Sequence, residues 1–420
     1  MAPLLLITLM NSKLLRSAQA GLAAVALTAF AFAQDYTKAS TSAKGTNYDS
    51  QLPSDATRMK IGDKAPDFKL LGIDGKHYTL ADFKAPILMV VFLSNHCPVS
   101  HAAETRLLPM VREFKNQGVD VVAINPNSNS GLGIHELGYT KYTDSYEDMK
   151  RYAKDMDFPF PYIYDGDTQE VSKKYGVLAT PHVYVFDQDR RLQYWGQIDD
   201  SRYETISTVK QHSLRDALTE MVAGKPVSVP VTKVFGCATK WQTKHDAVAE
   251  YDAKWQATPV GLENIDAQGV AELVKNNSNR LRLFNVWATW CAPCVAEFPQ
   301  LVNLSRRLST RKFELITISM DEPKMFPQAK KFLEKQYAHP SDALAATLKK
   351  EGRTAVNFLY TESDPDKLVK VLDPEWPGPL PHTVLVAPGG KILWRHNGEI
   401  DADKLLEVIL KELGPYYTLE

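Results

Sequence analysis

One pentapeptide restricts what this chain can fold into more than any other stretch. It is Trp290-Cys291-Ala292-Pro293-Cys294, set between an apolar run at 281–287 and a segment with helical character. A strand that hands over to a helix through Cys-x-x-Cys places the first sulfur at the helix N-terminus. There, free N–H groups and the dipole favour a thiolate. The second sulfur lies one turn inside, within reach of a mixed disulfide formed by the first. Pro293 has no N–H and stiffens the turn. The competing use of such a pair is half of a zinc site. Zinc usually takes four ligands, often as two Cys pairs, and the four cysteines of this chain make no second Cys-x-x-Cys. The pair reads as a redox dithiol, with Cys291 attacking and Cys294 resolving.

Composition sets the class. The 420 residues suffice for two or three domains, and 44% hydrophobic residues are enough to build their cores. A net charge of −1, with no basic stripe, speaks against nucleic acid. Four cysteines are too few for a disulfide-stapled scaffold. Lys13 and Arg16 precede an apolar run at 21–32 that ends Ala31-Phe32-Ala33, an export-signal pattern over 1–33, with Met10 as an alternative start. The run is short for a membrane span, and an uncleaved anchor is the alternative. Residues 34–58 are polar and read as a flexible leader. The expected mature protein is soluble, has no membrane span, and works in an oxidising space such as a periplasm.

The plan occurs twice. In the second half, the strand-like run 281–287, Cys291, the run 313–319, Pro381-His382, 383–386 and 391–394 follow in order. In the first half the same order is 87–93, Cys97, 119–124, Pro181-His182, 183–186 and 192–195. Alternating strands and helices argue an α/β fold with two separate cores, each a central mixed sheet flanked by helices.

Residues 259–420 resemble the TlpA/ResA kind of exported thioredoxin-like domain. The resemblance is carried by 285–294, by Glu297 and Pro299, and by Pro381. It implies that Pro381 is cis, faces the dithiol and presents backbone to an extended substrate, and that Glu297 shuttles protons. Residues 59–224 resemble the redoxin, peroxiredoxin-like (AhpC/TSA-type) branch of the thioredoxin fold. Here the carriers are 62–68, Asn95-His96-Cys97-Pro98, 158–162, Thr180-Pro181 and 196–202. Residues 225–258 read as a linker or tail that bears Gly236-Cys237-Ala238-Thr239-Lys240-Trp241.

That branch often carries Cys-Asn-His-Cys-Pro, and Ser94 replaces its first cysteine here. A peroxidatic Cys97 would have Ser94 in the hydroxyl position, but Val90 stands in place of the proline and Pro181 in place of the arginine. His96 beside Cys97 favours a thiolate. Cys97 can also be an inert thiol, or share a metal with His96 and His101. A bridge from Cys97 to Cys237 is a further possibility, because sequence does not fix connectivity. The main expectation is an exported thiol–disulfide oxidoreductase, with no cofactor and no resident metal. Its partners would be protein disulfides and an upstream thiol reductant. The alternatives are a thiol peroxidase centred on Cys97 and recycled by Cys291/Cys294, and a non-enzymatic metallochaperone module on His96, Cys97 and His101.

Overall fold

The computed structural model describes residues 48–418. The 1–33 signal pattern and most of the 34–58 leader lie outside these residues. The first half contains strands β1 (Lys69–Gly72), β2 (His77–Thr79), β3 (Ile87–Phe92), β4 (Val119–Asn125), β5 (Tyr162–Tyr164), β6 (Ala179–Thr180), β7 (His182–Phe186), β8 (Leu192–Gly196) and β9 (Cys237–Ala238). Its helices are α1 (Pro98–Lys115), α2 (Tyr146–Asp155), α3 (Glu170–Tyr175), α4 (Ser213–Val222) and α5 (His245–Ala257). The second half contains β10 (Glu263–Ile265), β11 (Leu281–Trp287), β12 (Phe313–Ser319), β13 (Asn357–Tyr360), β14 (His382–Val386) and β15 (Ile392–Asn397). Its helices are α6 (Ala267–Lys275), α7 (Ala292–Arg307), α8 (Phe326–Lys335), α9 (Asp342–Lys350), α10 (Pro365–Leu372) and α11 (Ala402–Leu413).

The sheets run β2-β1-β5-β4-β3-β7-β8 and β10-β13-β12-β11-β14-β15. Both share one frame. Three parallel strands (β5, β4, β3 and β13, β12, β11) are followed by two antiparallel ones (β7, β8 and β14, β15). The frames differ at the outer edge, where an antiparallel β1–β2 hairpin stands in the first half and parallel β10 in the second.

The central strands are apolar because both faces are covered. In β3, Leu88, Val90 and Phe92 enter one core cluster, while Met89 and Val91 enter the other. In β11, Phe284 and Val286 face one cluster, while Leu281 and Leu283 face another. This is the two-residue period of a strand sandwiched between helix layers.

Two readings of the sequence are revised by the structure. The 225–258 segment, read as a linker or tail, is a packed tail. Pro230 accepts a backbone hydrogen bond from Trp195 at 3.0 Å, Val234 and Trp241 are buried, and β9 pairs with β6. Part of the 34–58 leader is anchored too: Thr57 N–H donates to the Lys173 carbonyl at 2.9 Å, and Leu52 packs on the core. The proline-broken stretch 360–379 contains α10, which packs on α6 and buries Leu368 and Leu372.

The halves meet at the C-terminal end of α7. Arg307 donates to the carbonyls of Leu137 at 3.0 Å and Thr140 at 2.5 Å. Arg311 reaches the Gly138 carbonyl at 3.1 Å, and Lys141 pairs with Glu407 at 2.8 Å. A helix of 16 residues is about 24 Å long, so the opposite end of α7, which carries the dithiol, stands clear of this contact.

Candidate active site

Cys291 is the N-cap of α7 and is disulfide-bonded to Cys294, their Cα atoms 5.3 Å apart. The Cys294 N–H points at Cys291 Sγ, 3.3 Å away, so helix geometry aims a donor at the attacking sulfur. Cys294 is fully buried and Cys291 is nearly so. The turn before them is tied down by Asp321. This carboxylate accepts from the Thr289 N–H at 3.0 Å and the Thr289 hydroxyl at 2.6 Å. The sequence holds no cue for Asp321, which is brought in by the end of β12.

Trp287 is buried against Phe298 and Phe332. Trp290 is 69% exposed, next to the reactive sulfur. Its position in the turn carries it outward.

Glu297 lies on the α7 turn that follows Cys294 and is buried. It accepts from Asn285 Nδ2 at 2.9 Å and from the Ile400 N–H at 2.8 Å. Burial pushes its pKa up, against the lowering effect of those two donors. The Leu380–Pro381 bond is cis, and Leu380 packs on the cluster that contains Cys291 and Cys294.

In the first half the strand register fixes the correspondence. Phe92 pairs with His182 and lies five residues before Cys97, while Val286 pairs with His382 and lies five residues before Cys291. Cys97 is likewise the N-cap of its helix, α1. It therefore stands in the place of Cys291, and Ser100, three residues on, stands in the place of Cys294. Sequence reasoning centred on Ser94 missed Ser100, which is fully buried. The missed signal was Cys97 as a helix N-cap, with Pro98 at the first helical position. Ser94 sits before the turn, its hydroxyl 2.7 Å from that of Thr180.

The Thr180–Pro181 bond is also cis. Cys97 is fully buried, with Sγ 3.1 Å from the Thr180 carbonyl. Cys237 pairs with Thr180 across β6 and β9, and its thiol hydrogen-bonds the Cys97 sulfur. Burial alone would push the Cys97 thiol up. The Cys237 hydrogen bond, the His96 ring and the Ser100 N–H together outweigh it and bring the thiol down to about 5. The same hydrogen bond, with burial, pushes the Cys237 thiol up.

The His96 ring is oriented by Asp144, with Nδ1 2.5 Å from the carboxylate, which also accepts from Asn127 at 2.8 Å. Glu104, buried one helical turn below Ser100, accepts from the Tyr152 hydroxyl. Burial pushes its carboxyl up to about 8.

The alternative metal set of His96, Cys97 and His101 does not assemble. His101 Nε2 is turned to the Asn95 carbonyl at 2.7 Å, and His96 Nδ1 is committed to Asp144. Among the described residues, no group of three His, Cys, Asp or Glu is placed to hold an ion.

Two frames of this topology, each with a cysteine capping the helix after its central strand and a proline opposite, define a pair of thioredoxin-like domains. The chain belongs to the AhpC/TSA family, whose profile matches residues 61–195 and again 256–395. It is 25% identical over 135 residues to the thiol-disulfide oxidoreductase ResA of Bacillus thuringiensis subsp. konkukian, covering 32% of this chain and 68% of that protein. It is 30% identical over 133 residues to a thiol:disulfide interchange protein DsbE homolog of Paracoccus denitrificans, covering 32% of this chain and 59% of the relative. Among solved structures, an uncharacterized conserved protein from Geobacillus kaustophilus is 35% identical, with a TM-score of 0.39. That match covers 44% of this chain and 94% of the other.

Proposed function

We propose that this chain is an exported thiol–disulfide oxidoreductase whose working dithiol is Cys291–Cys294. The reduced Cys291 thiolate attacks a protein disulfide, forming a mixed disulfide and expelling one substrate thiolate. Cys294 then attacks Cys291 Sγ, expels the second thiolate and leaves the enzyme oxidised. Two electrons pass to the substrate, and a thiol reductant regenerates the pair. Glu297 is the proton shuttle for Cys294, and the backbone before Pro381 receives the substrate strand. The observation that carries this reading is the dithiol at the N-terminus of α7 with the buried Glu297 carboxyl one turn further on. The names of the relatives point the same way. Export rests on the N-terminal sequence pattern. No helix among the described residues is long and apolar enough to cross a membrane.

Insulin reduction with a dithiol donor tests the assignment. Cys291→Ala is expected to abolish turnover, and Cys294→Ala to accumulate mixed disulfides. Wild-type turnover by Cys291→Ala would sink it. Fractionating cells that express the full chain tests export.

A further inference from the structure

Outside that site, the largest concentration of unused chemistry is in the first half, around Cys97. The chain has spent several features on bringing Cys237 there from far along the sequence. Gly236 has φ +155°, and a Cβ on it would lie 2.0 Å from the Thr180 carbonyl oxygen, so only glycine lets the tail approach this closely. Ala238 pairs with Ala179, and Cys237 with Thr180. Beyond them, Thr239 donates its hydroxyl to the Val177 carbonyl at 3.1 Å, and the Lys240 N–H donates to Asn127 at 2.8 Å. The Lys240 carbonyl accepts from the Ser128 N–H and from Gln169, both at 2.9 Å. Lys240 pairs with Glu136, and Trp241 is buried. A segment so held keeps its cysteine on Cys97 in the resting fold.

We propose that Cys97 and Cys237 form a second dithiol–disulfide couple, independent of Cys291–Cys294, and that it exchanges with small disulfides rather than with protein strands. The selectivity follows from occupancy. In the second half, residues 378–380 belong to no strand, so no strand of the described chain pairs with the edge before Pro381. In the first half, the matching edge at Ala179–Thr180 is already paired with β9. A protein substrate cannot lie there, whereas a low-molecular-weight disulfide needs no edge.

Cys97 has no exposed surface, and Cys237 is half-buried, so Cys237 meets an incoming disulfide first. The pair shares one proton in its S–H···S hydrogen bond. In the resting pair that proton sits on Cys237; in the minor form in which it has moved to Cys97, the Cys237 thiolate attacks R–S–S–R, forming Cys237–S–S–R and releasing RS⁻. Cys97 then attacks Cys237 Sγ, releases the second RS⁻ and closes the bridge. Two electrons pass from the two sulfurs to R–S–S–R. The shared proton leaves with one RS⁻, and the other takes a proton from solvent according to pH.

The test uses the full chain carrying Cys291→Ser and Cys294→Ser, which removes the proposed oxidoreductase site, with glutathione disulfide as the probe. The expected product is an intramolecular Cys97–Cys237 bridge. It would be seen as the loss of two hydrogens in the intact mass and as protection of both thiols from alkylation after denaturation. Cys97→Ser in this background should stop at one glutathione on Cys237, and Cys237→Ser should acquire none. Gly236→Ala should slow closure at least tenfold. Two freely alkylated thiols after exposure to excess glutathione disulfide would overturn the couple. So would a pair oxidised by hydrogen peroxide but not by the disulfide. Stable glutathione on Cys97 in the Cys237→Ser variant would overturn the order of attack.

Discussion

The two halves hold a cysteine at the same corner of the same frame and complete the corner in different ways. In the second half the partner thiol is local: Cys294 follows Cys291 by one helical turn, and no strand of the described chain pairs with the edge beside it. In the first half that helical position is Ser100. The partner sulfur arrives on β9, which also fills the edge. The surroundings follow suit. His382 stacks flat on Trp376, with ring centroids 4.6 Å apart, and sits 3.3 Å from the Asp373 carboxylate. Both histidines are fully buried; His182 lies between Tyr184 and Trp195, and its pKa is driven down to about 3, chiefly by burial. At one corner no strand of the chain pairs with the edge before the cis proline, and at the other that edge is paired by the chain's own tail. A thioredoxin frame therefore does not by itself decide whether its site is open.

The largest effect that would sharpen this contrast is on protein-disulfide reduction. Cys291→Ala should lower kcat/KM for insulin by more than about 100-fold, whereas Cys97→Ala should leave it within about twofold. Comparable losses in both variants would mean that the halves work as one site.

Next in size is the seal. Trp241 is 1% exposed, and replacing it with Ala removes a large buried side chain, at a cost of about 3–5 kcal/mol. Chemical denaturation should show this loss. Cys237 should then alkylate in the native state, while the Cys291–Cys294 couple stays as in the wild type. An unchanged Cys237 alkylation rate would mean that the tail is held by its backbone pairing alone.

pH separates the halves further. The Glu104 carboxyl has its folded pKa raised from 4.5 to about 8, chiefly by burial, with the neighbouring Cys97 adding to the rise. The fold therefore binds this proton more tightly than the unfolded chain does. Its contribution to stability is complete below about pH 4.5, declines as pH rises and is gone above about pH 8. Glu104→Gln should remove that decline. Relative to wild type it should gain on the order of 5 kcal/mol between these limits, read as a flatter Tm profile. A parallel profile would place the wild-type decline elsewhere.

The smallest effect is at Trp290. Because it is 69% exposed, Trp290→Ala should shift stability by less than about 0.5 kcal/mol. It should raise KM for protein disulfides more than for a small aromatic disulfide. Equal changes for both substrates would assign Trp290 to the sulfur chemistry rather than to partner contact.

Much of this was legible in the sequence because it is local. The apolar runs of β3 and β11, the helices after Cys97 and Cys291, and the Pro-His pairs before β7 and β14 follow from side-chain period, capping and turn chemistry within a few residues. They gave the α/β class, the repeat and the Cys291–Cys294 dithiol. The sequence also placed Glu297 on the helix, one turn from the dithiol.

Tertiary structure decided the rest. Asp321 reaches Thr289 from β12, and Asp144 reaches His96 from the loop before α2. Ser100 acquired meaning only when strand register aligned Cys97 with Cys291. The meeting of Cys97 with Cys237 depends on a tail whose anchors, Lys240 and Trp241, bind loops distant in sequence. No periodicity encodes such contacts. They exist because burying Trp241 and pairing β9 with β6 close a long loop, and that closure is a property of the packed chain.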